Sequence, residues 1–176
     1  MNHDAYSDTY IKGILDEVKT VAMVGASANS VRPSYFVLKY LLSKGYVVWP
    51  INPGQAGKEI LGQKVYASLD DLPAVPDMID IFRNSDAVGQ VVEQVLASER
   101  LPKVIWMQLS VRNEDAASRA EDAGIKVVMN RCPKIEYGRL SGEIGWAGVN
   151  SKTLSSKRPS LKSGFQHRGL SESKDG

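Results

Sequence analysis

Residues 20–33 read TVAMVGASANSVRP: five β-branched or apolar residues run without a break into a turn of small residues, followed by an arginine and a proline. A continuous apolar run of this length suits a strand covered on both faces. Pro33 suits the first turn of a helix, where its missing N–H has no intrahelical partner to lose. Strand, small-residue turn and helix in that order open a β–α–β unit. The same grammar then repeats, with apolar runs at Val47–Ile51, Met78–Phe82, Val104–Met107 and Lys126–Met129 and helical segments between them. Phe36, Val37, Tyr40 and Leu41 recur at helical spacing after Pro33, with Gly45 to close that helix. Val88, Val91, Val92, Val95 and Leu96 form a second apolar stripe. A third helix is expected from Asn113 to Ala123, with Glu114 and Asp115 at its positive end and Gly124 beyond it. The pattern predicts an α/β fold, a doubly wound and mainly parallel five-stranded sheet in a Rossmann-like three-layer sandwich.

The longest irregular connection is Asn52–Pro76, which carries Pro53, Gly54, Gly57, Gly62 and Pro73. Within it Ser68 suits the cap of one short helix ending near Leu72. Composition changes near Leu140: the last 37 residues hold 8 Ser and 6 Gly, with six basic side chains against three acidic ones. Residues 1–140 are therefore read as one domain and 141–176 as a C-terminal extension. Ile144, Trp146 and Val149 are expected to dock on the domain, and the basic tail from about Ser155 to be disordered, because it offers little apolar surface to offset the entropy of ordering.

With 22 Lys and Arg against 20 Asp and Glu the net charge is +2, which gives no global attraction to nucleic acid or an anionic membrane. No stretch approaches the roughly 18 apolar residues of a membrane-spanning helix. The start carries Asp4, Asp8, Asp16 and Glu17 and matches no leader pattern, so a cytoplasmic protein is expected. One cysteine, Cys132, and two histidines, His3 and His167, exclude a disulfide framework and a Cys/His metal site.

In an open parallel α/β sheet, ligands bind outside the carboxyl ends of the strands where the strand order reverses. The residues there are Gly25-Ala26-Ser27, Asn52-Pro53-Gly54, Arg83-Asn84-Ser85, Gln108-Leu109-Ser110 and Asn130-Arg131-Cys132. Backbone N–H groups in the first of these turns can approach a phosphate, supported by the dipole of the following helix and by the guanidinium of Arg32. A nicotinamide dinucleotide fits poorly. Of the glycines in the pattern G-x-G-x-x-G only Gly25 is present, with Ser27 and Ser30 at the other positions. The second strand ends Trp49-Pro50-Ile51-Asn52-Pro53, without the acidic residue that holds ribose hydroxyls.

Taken in order, VGAS with RPS, VVWPINP, DIFR, IWMQLSV and RCPK with Glu136 beyond it resemble the small stand-alone coenzyme A-binding proteins, whose domain is similar to the nucleotide-binding domain of the succinyl-CoA synthetase α subunit. The resemblance spans about Val21 to Leu140. It implies non-covalent binding of coenzyme A (CoA) or an acyl-CoA. Residue by residue it implies Gly25, Ala26 and Ser27 at the phosphate turn with Arg32 beside them, then Asn52, Pro53 and Gly54, Lys58 as an addition, Phe82 and Arg83, and Gln108. Each has a structural reading too: Arg83 as a surface ion-pair partner, Gln108 satisfying loop backbone, Asn52-Pro53 defining a turn, and Phe82 and Trp106 as core. An NAD(P)-binding oxidoreductase or redox sensor of the same fold is the alternative.

Catalysis is not expected. Succinyl-CoA synthetase works through a phosphorylated histidine, and this chain has no histidine between residues 4 and 166. That also removes Ser/His/acid and Cys/His sets. Asp77 and Asp80 read as structural or solvated. Cys132, near Arg131 and Lys134, is either a buried inert thiol or one whose lowered pKa allows a mixed disulfide with the CoA thiol.

Overall fold

The computed structural model describes residues 1–143. The expected docking of Ile144, Trp146 and Val149 and the basic tail lie outside the described residues. In chain order the elements are α1 (Asp8–Glu17), β1 (Thr20–Val24), α2 (Pro33–Ser43), β2 (Val47–Ile51), β3 (Glu59–Ile60), β4 (Gln63–Lys64), β5 (Met78–Ile81), α3 (Ser85–Leu96), β6 (Val104–Met107), α4 (Glu114–Asp122), β7 (Lys126–Val128) and α5 (Pro133–Leu140). Five parallel strands form the sheet in the order β2-β1-β5-β6-β7. The expected strands are all present, with Phe82 and Met129 standing just beyond the ends of theirs.

The alternation of side chains along each strand feeds two cores. Met23, Met78, Trp106 and Val128 face α1, α2 and α5, where they meet Ile11, Ile14, Leu38 and Leu41. Ile79, Ile81, Ile105 and Val127 face α3 and α4, against Val88, Val92, Ala116 and Ala120. Burying one such aliphatic side chain contributes about 1.5–3 kcal/mol, and both sheet faces are covered this way. The result is the three-layer, doubly wound arrangement that the apolar runs imply.

Two helices escaped the sequence reading. Ser7 caps α1 by accepting the Tyr10 N–H at 3.2 Å, and Ile11, Ile14 and Leu15 bury one face of it. Helix α5 starts at Pro133 after Cys132 and is short, with a weak apolar stripe. The irregular connection holds the short helical turn expected after Ser68 and further order besides. Asn52 caps a single 3-10 turn, β3 and β4 form a small antiparallel hairpin, and Ser68 caps a second 3-10 turn over Leu69–Asp71. Pro50 is tolerated in β2 because β2 is an edge strand. Its carbonyl accepts the Tyr66 N–H at 2.9 Å, so the returning loop covers that edge.

Candidate functional site

The strand order reverses between β1 and β5: from β1 the chain crosses through α2 to one side, and from β5 through α3 to the other. Above this gap a cleft of about 540 Å³ opens at the carboxyl ends of the strands. Of the residues expected from sequence, Gly25, Ala26, Ser27, Arg32, Asn52, Phe82, Arg83 and Gln108 line it. Pro53 lines an adjoining hollow of about 280 Å³ on the α3 face of the sheet, which shares Gly25 and Arg83 with the cleft. Gly54 and Lys58 line neither. The backbone of Lys58 is carried away in the hairpin, donating to Gln55 and accepting from Val65.

Gly25 has φ +87°, and a Cβ there would stand 2.7 Å from the Phe82 carbonyl oxygen and 3.1 Å from Arg83 Cδ. A side chain would thus collide with the neighbouring strand end, which explains the glycine. The N–H groups of Gly25 and Ala26 both donate to the Ile51 carbonyl, at 3.0 and 3.2 Å. They hold β1 to β2 and do not face the cleft as donors, contrary to the expectation for this turn. The open donors lie further on: the Ser27 N–H and the Ser34 N–H in the first turn of α2 donate to no described residue. Asn52 is also structural in its polar atoms, Nδ2 donating to the Ala26 carbonyl at 2.8 Å and Oδ1 accepting the Gly54 N–H at 2.9 Å. It ties the phosphate turn to the turn after β2.

Apart from Arg100, which lines a different hollow, the described arginines divide into two groups. Arg112, Arg119, Arg131 and Arg139 all pair with carboxylates. Arg32 and Arg83 are exposed and line the cleft, and their side chains make no ion pair or hydrogen bond with any described residue. Among the described residues no aspartate or glutamate lines the cleft. A hollow of similar size, about 510 Å³, lies near the opposite edge around Leu72, Val75 and Ile79, but Asp70 and Glu99 line it beside Arg100. Unpaired cations without carboxylates distinguish the first cleft, and that combination is what an anion requires.

At the buried side of the cleft, Gln108 Nε2 donates to Asp80 Oδ1 at 2.8 Å. Gln108 is expected from sequence as a ligand-binding residue, with satisfaction of loop backbone as its structural alternative, and Asp80 as structural or solvated. Asp80 is structural and not solvated: it sits inside β5, fully buried, in register with Met23 and Trp106. Burial pushes its carboxyl up to about 7, the Gln108 hydrogen bond opposing only part of this. Cys132 also lines the cleft at 7% exposure, and burial raises its thiol despite Lys134 nearby. Arg131 is occupied with the Asn130 and Asp4 carbonyls and with Glu136. The idea of an activated thiolate is therefore corrected. Trp106 is core, as expected, and Phe82 is half-buried between core and cleft. Ser34, Val37, Leu109 and Val111 complete the lining. Ser34 and Val37 were legible as the first turns of a helix at a strand end, whereas the Asp80 partnership depends on strand register.

Comparison with known proteins agrees with this fold. The chain is 33% identical over 131 residues to protein YneT of Bacillus subtilis (strain 168), covering 74% of this chain and 94% of that one. Over 80 residues it is 36% identical to the α subunit of acetate–CoA ligase (ADP-forming) I of Pyrococcus furiosus, a stretch covering 43% of this chain and 17% of that subunit. A solved structure from Pyrococcus horikoshii OT3 superposes with a TM-score of 0.73 at 38% identity, covering 79% of this chain and 95% of that one. The family model described as a CoA binding domain matches residues 19–138, from just before β1 into α5, which takes in every strand and every cleft-lining residue named above. The chain therefore belongs to the CoA binding domain family.

Proposed function

We propose that this chain binds CoA, or an acyl-CoA, non-covalently in the cleft between β1 and β5, and that it carries out no reaction alone. The observation that carries the reading is the pair of arginines, Arg32 and Arg83, unpaired among the described residues in a cleft to which those residues bring no carboxylate. CoA has a pyrophosphate and a ribose 3′-phosphate of about −1.5 to −2 charges, so two guanidinium forks and the free N–H groups of Ser27 and Ser34 suit its nucleotide half. The ligand-binding residues in this reading are Gly25, Ala26, Ser27, Arg32, Ser34, Asn52, Pro53, Phe82, Arg83 and Gln108. Gly25 and Asn52 act through the shape of the turn. Two hollows meeting over Gly25 and Arg83 suit a ligand with two unlike ends joined by phosphates. The apolar wall of Val37, Phe82, Leu109 and Val111 suits the aliphatic pantetheine arm. A reducing cytoplasmic setting goes with the single unpaired cysteine.

Thermal unfolding in the presence of CoA, acetyl-CoA, NAD and NADP tests this reading. A ligand at about 100 times its dissociation constant stabilises the native state by about 2.7 kcal/mol, or roughly 5–10 °C for a chain of this size. CoA and acetyl-CoA are expected to raise the midpoint and the nicotinamide cofactors to leave it in place. A response to NAD or NADP alone supports an oxidoreductase or redox sensor instead, and no response to any of the four refutes a nucleotide site.

A further inference from the structure

We infer that Asp80 is a positioning residue: through Gln108 it fixes the hydrogen-bond polarity of the cleft wall, so that the wall accepts an amide N–H from the pantetheine arm of the ligand. The inference rests on the CoA reading above. Gln108 has one donor group and one acceptor, and only its orientation decides which of them the cleft meets. Its Nε2 is committed to Asp80 Oδ1 at 2.8 Å, and both residues are buried, at 6% and 0% exposure. Its Oε1 accepts from no described residue and does not belong to the sealed, partnerless polar atoms, so it is open to the cleft that Gln108 lines. Val37, Phe82, Leu109 and Val111 supply the apolar part of the same lining. An open acceptor in a cleft with this apolar share calls for a donor, and a pantetheine arm supplies one from a secondary amide between methylene runs.

Asp80 Oδ2 is the second observation. Among the described residues it is sealed from solvent and has no hydrogen-bond partner. As a carboxylate, Asp80 offers only acceptors, and Gln108 must turn Nε2 towards it. As a neutral acid, Asp80 holds a proton that needs an acceptor, and the Gln108 amide satisfies it by turning over, giving Oε1 to Asp80 and Nε2 to the cleft. The cleft wall then repels an amide N–H. Because burial sets the Asp80 carboxyl near neutrality, this exchange falls in an accessible pH range. The groups around Asp80 on this sheet face leave it in control. Met23 and Trp106 flank it on β1 and β6, and α2 contributes Ser34 and Val37 to the cleft. From α5, Cys132 interacts with Asp80 but stays a neutral thiol, Lys134 lies exposed beside Cys132, and Glu136 is held by Arg139 and Arg131. Helix α1 presents Ile11 and Ile14.

The sign follows from linkage. A ligand that donates to Oε1 binds the ionised form, so its affinity falls as pH drops through the Asp80 titration, and binding releases a proton. The test is calorimetric titration of the full chain at about pH 6 and about pH 8.5. The ligands are CoA and adenosine 3′-phosphate 5′-diphosphate, the same nucleotide without its arm. Wild type is expected to lose about three- to tenfold more CoA affinity on acidification than Asp80→Asn does, the range of one hydrogen bond. The armless nucleotide is expected to show no difference between the two proteins, which removes direct repulsion between Asp80 and the phosphates as the cause. Gln108→Leu, which keeps the buried carboxyl and deletes the amide, is expected to flatten the CoA profile as Asp80→Asn does, and it serves if Asp80→Asn fails to fold. Equal pH dependence of CoA binding in wild type and either variant overturns the inference and leaves the CoA reading intact. Failure of both ligands to bind wild type at either pH overturns the CoA reading and the inference with it.

Discussion

Gly25 and Asp80 show how much a single position can decide in this domain. Gly25 lies at a φ that L side chains rarely adopt, and its missing Cβ is the space that Phe82 and Arg83 occupy. Gly25→Ala is expected to cost about 2 kcal/mol or more in stability and to shift Arg83, read as a lower thermal midpoint and weaker CoA binding. Asp80 has a folded pKa raised by burial, to about 7, so stability it contributes is full below the unfolded value of 3.8 and is lost as pH rises through 7. Asp80→Asn is therefore expected to gain on wild type as pH rises from about 4 to about 7, to hold that advantage above about pH 8, and to lose it only below about pH 4, as measured by urea unfolding. An advantage that does not change with pH contradicts the buried, titrating carboxyl. Cys132 is buried with a raised thiol pKa, and its alkylation at neutral pH is expected to be slow and slower still with CoA present. Gly25 and the two arginines were legible because they stand beside strand ends in the sequence. The Asp80–Gln108 bond was not, since 28 residues separate the partners and only the β5–β6 register brings them together.

Among the elements, the strand starts are stapled by Asp77. Its Oδ2 accepts the N–H groups of Lys19 and Thr20, at 2.9 and 3.1 Å, while its own N–H donates to Thr20 Oγ1 at 2.8 Å. Lys103 reaches it at 2.8 Å, so one carboxylate joins the beginnings of β1, β5 and β6. Burial alone would raise the Asp77 carboxyl, but the Lys103 ammonium and the two backbone donors outweigh it and hold it at about 2. Its contribution is present above the unfolded value of 3.8 and is lost as pH falls through about 2. Asp77→Asn is expected to lose about 1–2 kcal/mol at neutral pH after allowance for solvent screening, with the deficit shrinking in acid, measured by urea unfolding. The strands that Asp77 joins were legible as apolar runs, and α2, α3 and α4 from their caps and stripes. Helix α1 had the spacing of Ile11, Ile14 and Leu15 but sits in a polar N-terminal stretch. Helix α5 is short and weakly striped, and Cys132 lends no capping hydrogen bond to mark its start.

At the scale of the whole molecule, backbone groups at both edges of the sheet find partners in other segments. The loop returning through Tyr66 covers β2, and at the other edge Tyr6 Oη accepts the Met129 N–H at 2.7 Å while Tyr10 Oη donates to the Val127 carbonyl at 3.2 Å. Protecting both edges keeps an otherwise template-like sheet from pairing with another chain. The carboxyl end between β1 and β5 stays open, and there Arg32 and Arg83 stand together without a carboxylate among the described lining residues. Eight of the eleven residues expected from sequence meet in that cleft, because strand ends converge there whatever the loops do. Gly54 and Lys58 fall outside because the hairpin between them and β5 has its own backbone pairing, which no apolar pattern announces. The central claim is that Arg32 and Arg83 together hold the phosphates of CoA. Calorimetric titration of CoA into wild type and the Arg32→Ala/Arg83→Ala double variant tests it most directly. The account predicts saturable binding to wild type and a loss on the order of 30- to 100-fold in the double variant, the scale of two charge-assisted contacts. Unchanged affinity in the double variant, or no binding of CoA to wild type, contradicts it.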